Sequence, residues 1–425
     1  MEKKDLHPDL MKVSKNVSAF QLVGFIFLAA ILLSSCSSSS RVRSVVYEDL
    51  YRIDKEFSHD AFVRQSSPDS AYVQFRLRTG HLLHKRKDKE SPFNIDVEFA
   101  VITQSDKNIV SDTMNFSFNR TYNEVSDELV YGRFTIPFKD TTAYEVRIFL
   151  MDNFSMKETR FIEFYERDGY DARFNRILVN GVPTRYCACE LGDELIFFPY
   201  GWGEGSLKYR SYTVEQGLAP PPFSINSTPS PTFKLLDEYD VDYNGGVSIP
   251  CPQADMIEFE QESLNALLQI PVFQINYPYI TQHLDMIEAL KYITTSNEYK
   301  AMIQSDDLRN AVEEFWIDCA GSKERARVLI GQYYSRVEEA NKFFTETKEG
   351  WKTDRGLINI VYGPPSRVMR YPDREIWYYG TDNSDNTLKI TFFKNNGYTM
   401  DRSLDYRQSW YLTVDSWRNG RTINP

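Results

Sequence analysis

Hydrophobic and polar residues alternate with a period of two in many short segments between residues 47 and 168. Side chains of a β-strand point alternately to its two faces, so this pattern indicates strands with one buried face. Turn-forming residues separate the segments, as is typical of antiparallel sandwiches. We therefore predict a β-sandwich-like domain over residues 47–168. Its clearest strand segments are 71–77, 93–99, 115–118, 132–136, 144–150 and 160–164.

A second group of strand patterns predicts another β-rich domain over residues 172–270. Inside it lies a proline-rich loop, residues 217–232, which includes Pro220, Pro221 and Pro222. Proline at this density is incompatible with a regular sheet and favours an extended, polyproline-like path. Two interpretations of the loop stay open: a loop packed on the protein surface, or a segment that docks a partner.

The periodicity changes from two to about 3.6 after Pro278. Apolar residues recur at helical spacing from Leu308 to Trp316, with Ser305 as a candidate N-cap. This pattern predicts that helices begin the last domain, residues 278–425.

Short sequence signals place the ends of the neighbouring helices. Thr295 and Glu298 have the spacing of a capping box, which predicts the start of a shorter helix. Gly321 and Ser322 are suited to end one helix and to begin the next. That long helix leads toward Gly350.

Strand-like segments return after this long helix and end in one more helix. An Asn-Gly pair at residues 396–397 separates two apolar runs and is a strong hairpin signal. The predicted strands are residues 357–362, 375–379, 388–393 and 398–400. The whole chain is thus expected to be multidomain, mainly β plus α+β: two tandem antiparallel β-sandwich-like domains, then a helical segment and an α+β C-terminal domain.

The link between the long helix and the first of these strands carries a compact polar motif. Gly350 is placed to close the helix, and Trp351 to fill the joint behind it. Thr353 and Asp354 can accept hydrogen bonds from nearby backbone amides. Residues 355–356 would then form a turn into a strand.

This motif resembles the pentapeptide of the GWxTD-domain family of bacterial envelope proteins. Ser366 follows the Pro-Pro pair where the family pattern has an acidic residue. The resemblance implies an envelope location and an α+β fold for roughly residues 280–421. The matching residues are Gly350, Trp351, Thr353, Asp354, Arg355, Gly356, Tyr362, Gly363, Pro364 and Pro365, with Glu375, Trp377 and Arg418 further along.

The N-terminus has the order of features found in bacterial lipoprotein signals. Lys12 and Lys15 precede an apolar run, residues 20–33, which is too short to span a bilayer comfortably. Small residues and Cys36 follow directly. We predict a signal peptide over residues 1–35 and lipidation of Cys36; Met11 is an alternative start to Met1.

A short polar tether, residues 36–46, is expected after the cleavage site. Ser37 and Ser38 follow Cys36, so these positions lack the aspartate that would indicate retention in the inner membrane. We therefore expect a membrane association through the lipid anchor, on the periplasmic face of the outer membrane. An incidental Cys36 in a secreted or singly spanning protein is the alternative.

Composition narrows the possible functions. The net charge of −11 argues against nucleic acid as a partner. The chain has only five histidines, and His283 is the last of them, which disfavours His-dependent nucleophilic catalysis and a metal site. No phosphate-binding glycine loop occurs. We expect no cofactor, no metal and no catalytic residues.

Four cysteines remain besides Cys36. They allow up to two disulfides with three connectivities, and the sequence does not choose among these. Cys187 and Cys189 point to one face of a strand, which is poor geometry for a bond between them. The four are Cys187, Cys189, Cys251 and Cys319.

Asp354 and Glu375 are the candidate acid/base pair, if the chain is an enzyme. The alternative that we favour is an ion pair of Asp354 with Arg355, Arg374 or Arg418 at the sheet edge. The predicted function is therefore non-enzymatic: a protein-binding scaffold or accessory subunit of an outer-membrane assembly, with periplasmic or outer-membrane protein partners. The second hypothesis is an envelope hydrolase or glycan-binding protein that uses Asp354, Glu375 and nearby aromatic residues such as Trp377.

Overall fold

The chain is mostly β-sheet, with several antiparallel sheets and a C-terminal helix, and it divides into two compact units. Of the described residues, those from 60 to 176 and Pro199 belong to unit 1; residues 43–45, Tyr47, Tyr51, Ile177–Phe198 and those from 202 to 421 belong to unit 2. The computed structural model describes residues 43–45, 47, 51, 60–67, 69–105, 110–137, 143–166, 176–199, 202, 204–226, 230–371, 373–380, 387–394 and 397–421. The predicted signal peptide and Cys36 lie outside the described residues.

Unit 1 contains two antiparallel sheets, as the alternating pattern predicts. Their strand orders are β2–β3–β6 and β5–β4–β7–β8. Inward residues of both sheets, such as Phe75 and Phe99, form one core, and the centroids of these two rings lie 4.7 Å apart. Strand β1 (Arg43–Val45) belongs to unit 2, and the described strands of unit 1 are β2 (Asp60–Ser67), β3 (Ser70–Arg78), β4 (Phe93–Ser105), β5 (Val110–Tyr122), β6 (Leu129–Pro137), β7 (Ala143–Asp152) and β8 (Lys157–Glu166).

The first part of unit 2 is also built from two sheets. The next strands are β9 (Arg176–Val179), β10 (Val182–Thr184), β11 (Cys187–Ala188), β12 (Glu194–Phe198), β13 (Gly205–Glu215), β14 (Thr232–Tyr243), β15 (Val247–Pro250), β16 (Met256–Gln261) and β17 (Ala266–Phe273). They form sheets of order β10–β9–β12–β15 and β11–β17–β16–β13–β14. Phe197 of the first sheet packs against Phe259 of the second, with ring centroids 5.4 Å apart.

One disulfide links this region. Cys189 and Cys251 are bonded, whereas Cys187 is a buried free thiol and Cys319 a partly buried one. Cys187 and Cys189 are not bonded to each other, as the strand geometry predicts.

Six α-helices lie in the described part of the chain: α1 (His283–Ala289), α2 (Ser296–Ile303), α3 (Leu308–Ala320), α4 (Lys323–Phe344), α5 (Asp354–Tyr362) and α6 (Tyr406–Arg418). The capping box of Thr295 and Glu298 is confirmed at the start of α2. Ser322 caps α4 as predicted. The N-cap of α3 is Asp307 rather than Ser305, since the Asp307 side chain accepts the Asn310 amide. None of the described helices is long and apolar enough to cross a membrane.

The last sheet has the order β1–β18–β19–β20–β21 and is antiparallel throughout. Its C-terminal strands are β18 (Arg367–Arg370), β19 (Arg374–Tyr379), β20 (Leu388–Lys394) and β21 (Tyr398–Met400). The β20–β21 hairpin is confirmed, although Asn395 and Asn396 lie outside the described residues. Residues 43–45, which we placed in a tether, instead form its edge strand β1.

The predicted strand over residues 357–362 is wrong, because this segment forms helix α5. Thr353 caps α5, and its side chain accepts the Gly356 amide. All nine residues of α5 are buried, and the segment taken for a strand, residues 357–362, leaves out Asp354 and Arg355, which lie on the same helical side as Asn359. The β-branched residues Ile358, Ile360 and Val361 strengthened the false strand signal.

Candidate functional site

The two motif glycines allow three backbone segments to approach closely. A Cβ atom on Gly350 would overlap the Ala340 carbonyl of α4 and lie 2.7 Å from the Asn341 Cα. A Cβ on Gly356 would overlap the Gly350 carbonyl in turn. We predicted that Gly350 ends α4, and this is wrong. Helix α4 ends at Phe344, and Gly350 begins a short 3-10 turn. Glycine is required here by space rather than by a positive φ.

Trp351 and Thr353 fix the 3-10 turn between α4 and α5. The Trp351 amide donates to the Asn341 Oδ1 at 3.1 Å, and the Trp351 carbonyl accepts the Tyr292 hydroxyl at 3.0 Å. The Thr353 hydroxyl donates to the Gly350 carbonyl at 2.7 Å. All these groups are buried, so each bond also satisfies a polar atom that water cannot reach.

Asp354 is a buried carboxylate held by the last sheet. Its Oδ2 atom accepts the Met400 amide at 2.7 Å, and both of its oxygens accept hydrogen bonds from the Arg402 guanidinium. Asp354 therefore forms an ion pair, as expected, but with Arg402, which was not among the predicted partners Arg355, Arg374 and Arg418. Residues 355–356 form the first turn of α5, not a turn into a strand.

The proline-rich loop packs directly on this motif. Arg402 donates to the Pro220 carbonyl at 3.2 Å, and the Ala219 amide donates to the Lys352 carbonyl at 3.3 Å. The Phe223 ring lies 5.3 Å from the Tyr411 ring of α6. Of the two interpretations left open, these contacts favour a packed loop for its described residues.

Glu375 lies at the centre of a second buried ionic cluster. It is fully buried, and its Oε1 atom accepts hydrogen bonds from the Arg370 Nε at 2.7 Å and from the Tyr51 hydroxyl at 3.0 Å. Its Oε2 atom accepts the Trp377 indole N–H at 3.2 Å and lies 3.6 Å from the Arg355 Nη1. Burial by itself raises the pKa of Glu375, but the guanidinium groups of Arg370 and Arg355 outweigh it and hold that pKa below its usual value.

The N-terminal segment of the chain completes this cluster. Besides the Tyr51 bond to Glu375, the Tyr47 hydroxyl donates to the Asn359 Oδ1 of α5 at 2.8 Å. Both tyrosine rings are buried against Trp377, with centroid separations of 5.8 and 6.5 Å. Strand β1 pairs with β18 immediately before them. Residues 43–45, Tyr47 and Tyr51 are therefore part of the C-terminal fold, although they begin the described part of the chain.

Removing the Tyr51 hydroxyl is expected to destabilise unit 2. In Tyr51→Phe, Glu375 loses a buried donor while the ring packing is kept, which costs about 1 to 3 kcal/mol. Denaturant unfolding followed by tryptophan fluorescence measures this change, because all six tryptophans lie in unit 2. Tyr411→Phe is the matched control, since Tyr411 is half exposed. Equal stabilities of the two variants would contradict the role of the hydroxyl.

The remaining motif residues shape the end of α5. Gly363 has a φ of +87° and its carbonyl accepts the Tyr379 hydroxyl at 2.9 Å. Tyr362 shares a hydrogen bond of 3.0 Å with Ser409 of α6. Pro364 and Pro365 then lead to β18, with Pro365 buried.

Arg418 lies apart from Glu375, in a groove of about 420 Å³ between α2 and α3. It forms a two-pronged ion pair with Glu298, at 2.7 and 2.9 Å, and also donates to the Ile293 carbonyl. The hydrogen bonds from Arg418, helped by those from Thr295, lower the pKa of Glu298 to about 2. Glu375, Trp377 and Arg418 therefore do not form one binding surface. Glu375 and Trp377 are buried together, whereas Arg418 lies in the groove with Glu298.

Several partners of these groups were not predicted from the sequence. Arg402, Tyr47 and Tyr51 are distant in sequence from the carboxylates or amides that they bind, whereas Arg370 is only five residues from Glu375. Only Thr353, a residue typical of helix N-caps, followed by Asp354 could have signalled the true structure. No group of three or more His, Cys, Asp or Glu residues in the described ranges is arranged to hold a metal ion.

The fold and the motif together define an α+β domain in which the buried polar turn is an internal joint. Helices α4 and α5 meet at that turn, and the antiparallel sheet holds its aspartate. The sequence model of the GWxTD domain matches residues 256–419, so this chain contains a GWxTD domain. The match begins at residue 256, the first residue of β16, whereas the resemblance in the sequence began near residue 280. No curated protein matches the chain.

Proposed function

We propose that this chain is a lipid-anchored envelope protein that acts as a protein-binding scaffold or accessory subunit of an outer-membrane assembly. The supporting observation is the burial of the motif carboxylates. Asp354 is 5% exposed and Glu375 is 0% exposed, and each is neutralised by arginine. A general acid or base must reach its substrate, so these groups suit a structural joint better than a reaction.

The proposal extends to the arrangement of the β-rich parts. We infer two tandem β-sandwich-like domains ahead of the GWxTD domain. The paired sheets around Phe75 and Phe99, and those around Phe197 and Phe259, support this inference. Such domains commonly serve as rigid scaffolds that present binding loops and edges.

The anchor would hold the GWxTD domain close to the membrane. Arg43 of β1 lies seven residues after Cys36. Seven extended residues span at most about 25 Å. Lipidation of Cys36, on the periplasmic face of the outer membrane, would therefore place the β1 edge of the last sheet within that distance of the bilayer surface.

Replacing Cys36 by alanine is expected to abolish lipidation and membrane retention. The thiol that takes the acyl chain is then missing, and stable anchoring requires more than one buried chain. Incorporation of an alkyne-bearing fatty acid and the partition of the protein between membrane and soluble fractions measure the effect. Cys319→Ala, which removes another free thiol, should keep both properties. Labelling that persists in Cys36→Ala would disprove this site.

Affinity purification of the tagged, full-length protein from mildly solubilised membranes tests the function itself. We expect the same outer-membrane or periplasmic proteins at near-stoichiometric amounts, and their loss in Cys36→Ala. Isolation as a lone monomer would count against the proposal. Hydrolysis of an envelope glycan that disappears in Glu375→Gln, with the fold retained, would favour the hydrolase or glycan-binding alternative.

A further inference from the structure

Strand β14 is a long and exposed sheet edge. It spans twelve residues, pairs with β13 on one side, and has no strand on its other side among the described residues. Its residues from Thr232 to Asp240 are all exposed. The outer edge therefore presents unpaired backbone donors and acceptors that can pair with another strand.

The two halves of β14 differ in chemistry. The first half exposes large apolar side chains: Phe233, Leu235 and Leu236 are 41%, 49% and 41% exposed. The second half is acidic, with Asp237, Glu238, Asp240 and Asp242, against a single Lys234 in the whole strand. Proteins usually protect such an edge by shortening it or by placing lysines and prolines on it. This strand is instead long, apolar at one end and negatively charged at the other.

The charge pattern opposes a second copy of the chain as the occupant. Two antiparallel β14 strands paired along their whole length would oppose the acidic half of each strand to the apolar half of the other. A shifted pairing would use only one half of the strand, with acidic residues facing acidic residues or apolar residues facing apolar residues. Like charges that face each other across strands are destabilising. Carboxylates that face apolar side chains lose hydration without gaining a partner. The edge therefore fits a strand of different composition.

We propose that β14 is a docking edge for an extended strand of another protein, which adds antiparallel to it. The N-terminal half of that strand carries Lys or Arg opposite Asp237–Asp242, and its C-terminal half carries apolar or β-branched residues opposite Phe233–Leu236. Backbone hydrogen bonds then supply affinity, and the order of charged and apolar halves supplies specificity. This inference rests on the proposed function as a protein-binding subunit and assigns its surface.

A pair of synthetic peptides tests this edge on the full-length protein in detergent. The first is a labelled ten-residue peptide with Lys and Arg alternating with Val in its first half, followed by Val, Thr and Ile. The second has the two halves exchanged. We expect the first peptide to bind at least ten-fold more tightly in fluorescence anisotropy, and to slow amide hydrogen exchange within residues 232–243. Equal binding of the two peptides, or protection confined to another strand, would overturn the proposal.

Surface variants separate the edge from general stickiness. Leu235→Lys combined with Leu236→Lys should weaken binding of the first peptide at least ten-fold, because charges then oppose its apolar half. Leu264→Lys is the matched control, since Leu264 is 45% exposed in the turn between β16 and β17. An equal loss in this control would show nonspecific binding and overturn the proposal.

Three further outcomes have separate meanings: the first concerns a second copy of the chain, and the other two distinguish this inference from the proposed function. Concentration-dependent dimers that vanish in the Leu235 and Leu236 double variant would make a second copy the occupant, which contradicts a heterologous strand. Co-purification of envelope proteins that survives in the same variant would leave the scaffold function standing while the edge assignment fails. A wild-type protein that binds the peptide but has no envelope partner would do the reverse.

Discussion

Replacing Gly350 by alanine is expected to lower the free energy of unfolding of unit 2 by about 3 kcal/mol or more. The new methyl group would overlap the Ala340 carbonyl and crowd the Asn341 Cα, both backbone atoms of α4. Overpacking typically costs about 1 to 3 kcal/mol, and rigid backbone neighbours place this site at the upper end. The same shift would also disturb the Trp351 amide, which bonds to Asn341.

Gly331→Ala provides the matched control, because Gly331 lies in α4, the helix against which Gly350 packs. An alanine Cβ at Gly331 meets no atom within 4 Å, and Gly331 is exposed. Alanine is favoured over glycine in a helix by about 1 kcal/mol, so this variant should be neutral or more stable. Urea unfolding followed by tryptophan fluorescence compares the two. If Gly350→Ala unfolds at the same denaturant concentration as the wild type, the close packing of the motif is not what requires glycine.

Glu375→Gln is expected to cost about 3 to 5 kcal/mol, the range for breaking a buried ion pair. The glutamine keeps the size of the side chain but removes the negative charge that faces the buried guanidiniums of Arg370 and Arg355; Arg355 keeps Glu346 at 3.6 Å. Glutamine has only one side-chain oxygen, so either the Trp377 indole N–H or the Tyr51 hydroxyl loses its acceptor and faces the amide NH2 group instead. Thermal or chemical unfolding of unit 2 measures the loss.

The pH dependence of stability gives a second measurement on Glu375. Its folded-state pKa is lowered, so the folded state holds its proton less tightly than the unfolded state. Its stabilising contribution is fully present above the unfolded pKa of about 4.3 and disappears as the pH falls through the folded value. The wild type should therefore lose more stability on acidification below about pH 4 than Glu375→Gln does.

Asp373→Asn is the control for both measurements. Asp373 forms an ion pair with Arg374 at 3.0 Å just before β19, but its side chain is 64% exposed. Exposed pairs contribute about 0 to 1 kcal/mol, so this variant should remain close to the wild type. A similar loss in Asp373→Asn and Glu375→Gln would mean that burial does not govern the effect.

Local signals in the sequence were sufficient wherever a few neighbouring residues decide the structure. The capping box of Thr295 and Glu298, the helix end at Gly321 and the cap at Ser322 all depend on contacts within three or four residues. The alternating strands of unit 1 likewise have one face toward a single core, so their period is visible.

The same reasoning failed where burial is complete. Helix α5 is enclosed on every side, and the segment interpreted as a strand, residues 357–362, contains only Asn359 of its three polar residues, so its apolar and β-branched residues resembled a buried strand. Large separations along the sequence also prevented us from predicting the partners of the buried carboxylates. Asp354 meets Arg402, and Glu375 meets Tyr51, over separations that no motif spans. A site built from such contacts follows from the tertiary fold, so only its carboxylates, and not their partners, could be predicted.

The pairing of residues 43–45 with the last sheet, and the packing of Tyr47 and Tyr51 beside it, set an order on how the protein matures. Strand β1 pairs with β18, whose residues 367–370 emerge from the ribosome more than 300 residues later. Tyr47 and Tyr51 therefore stay without their core while the intervening chain is synthesised, and loop closure over that distance is slow. Until it closes, β18 keeps an open edge and Glu375 lacks one of its donors. The segment nearest the predicted lipid anchor, although made first, can thus join the C-terminal domain only after β18 has been synthesised.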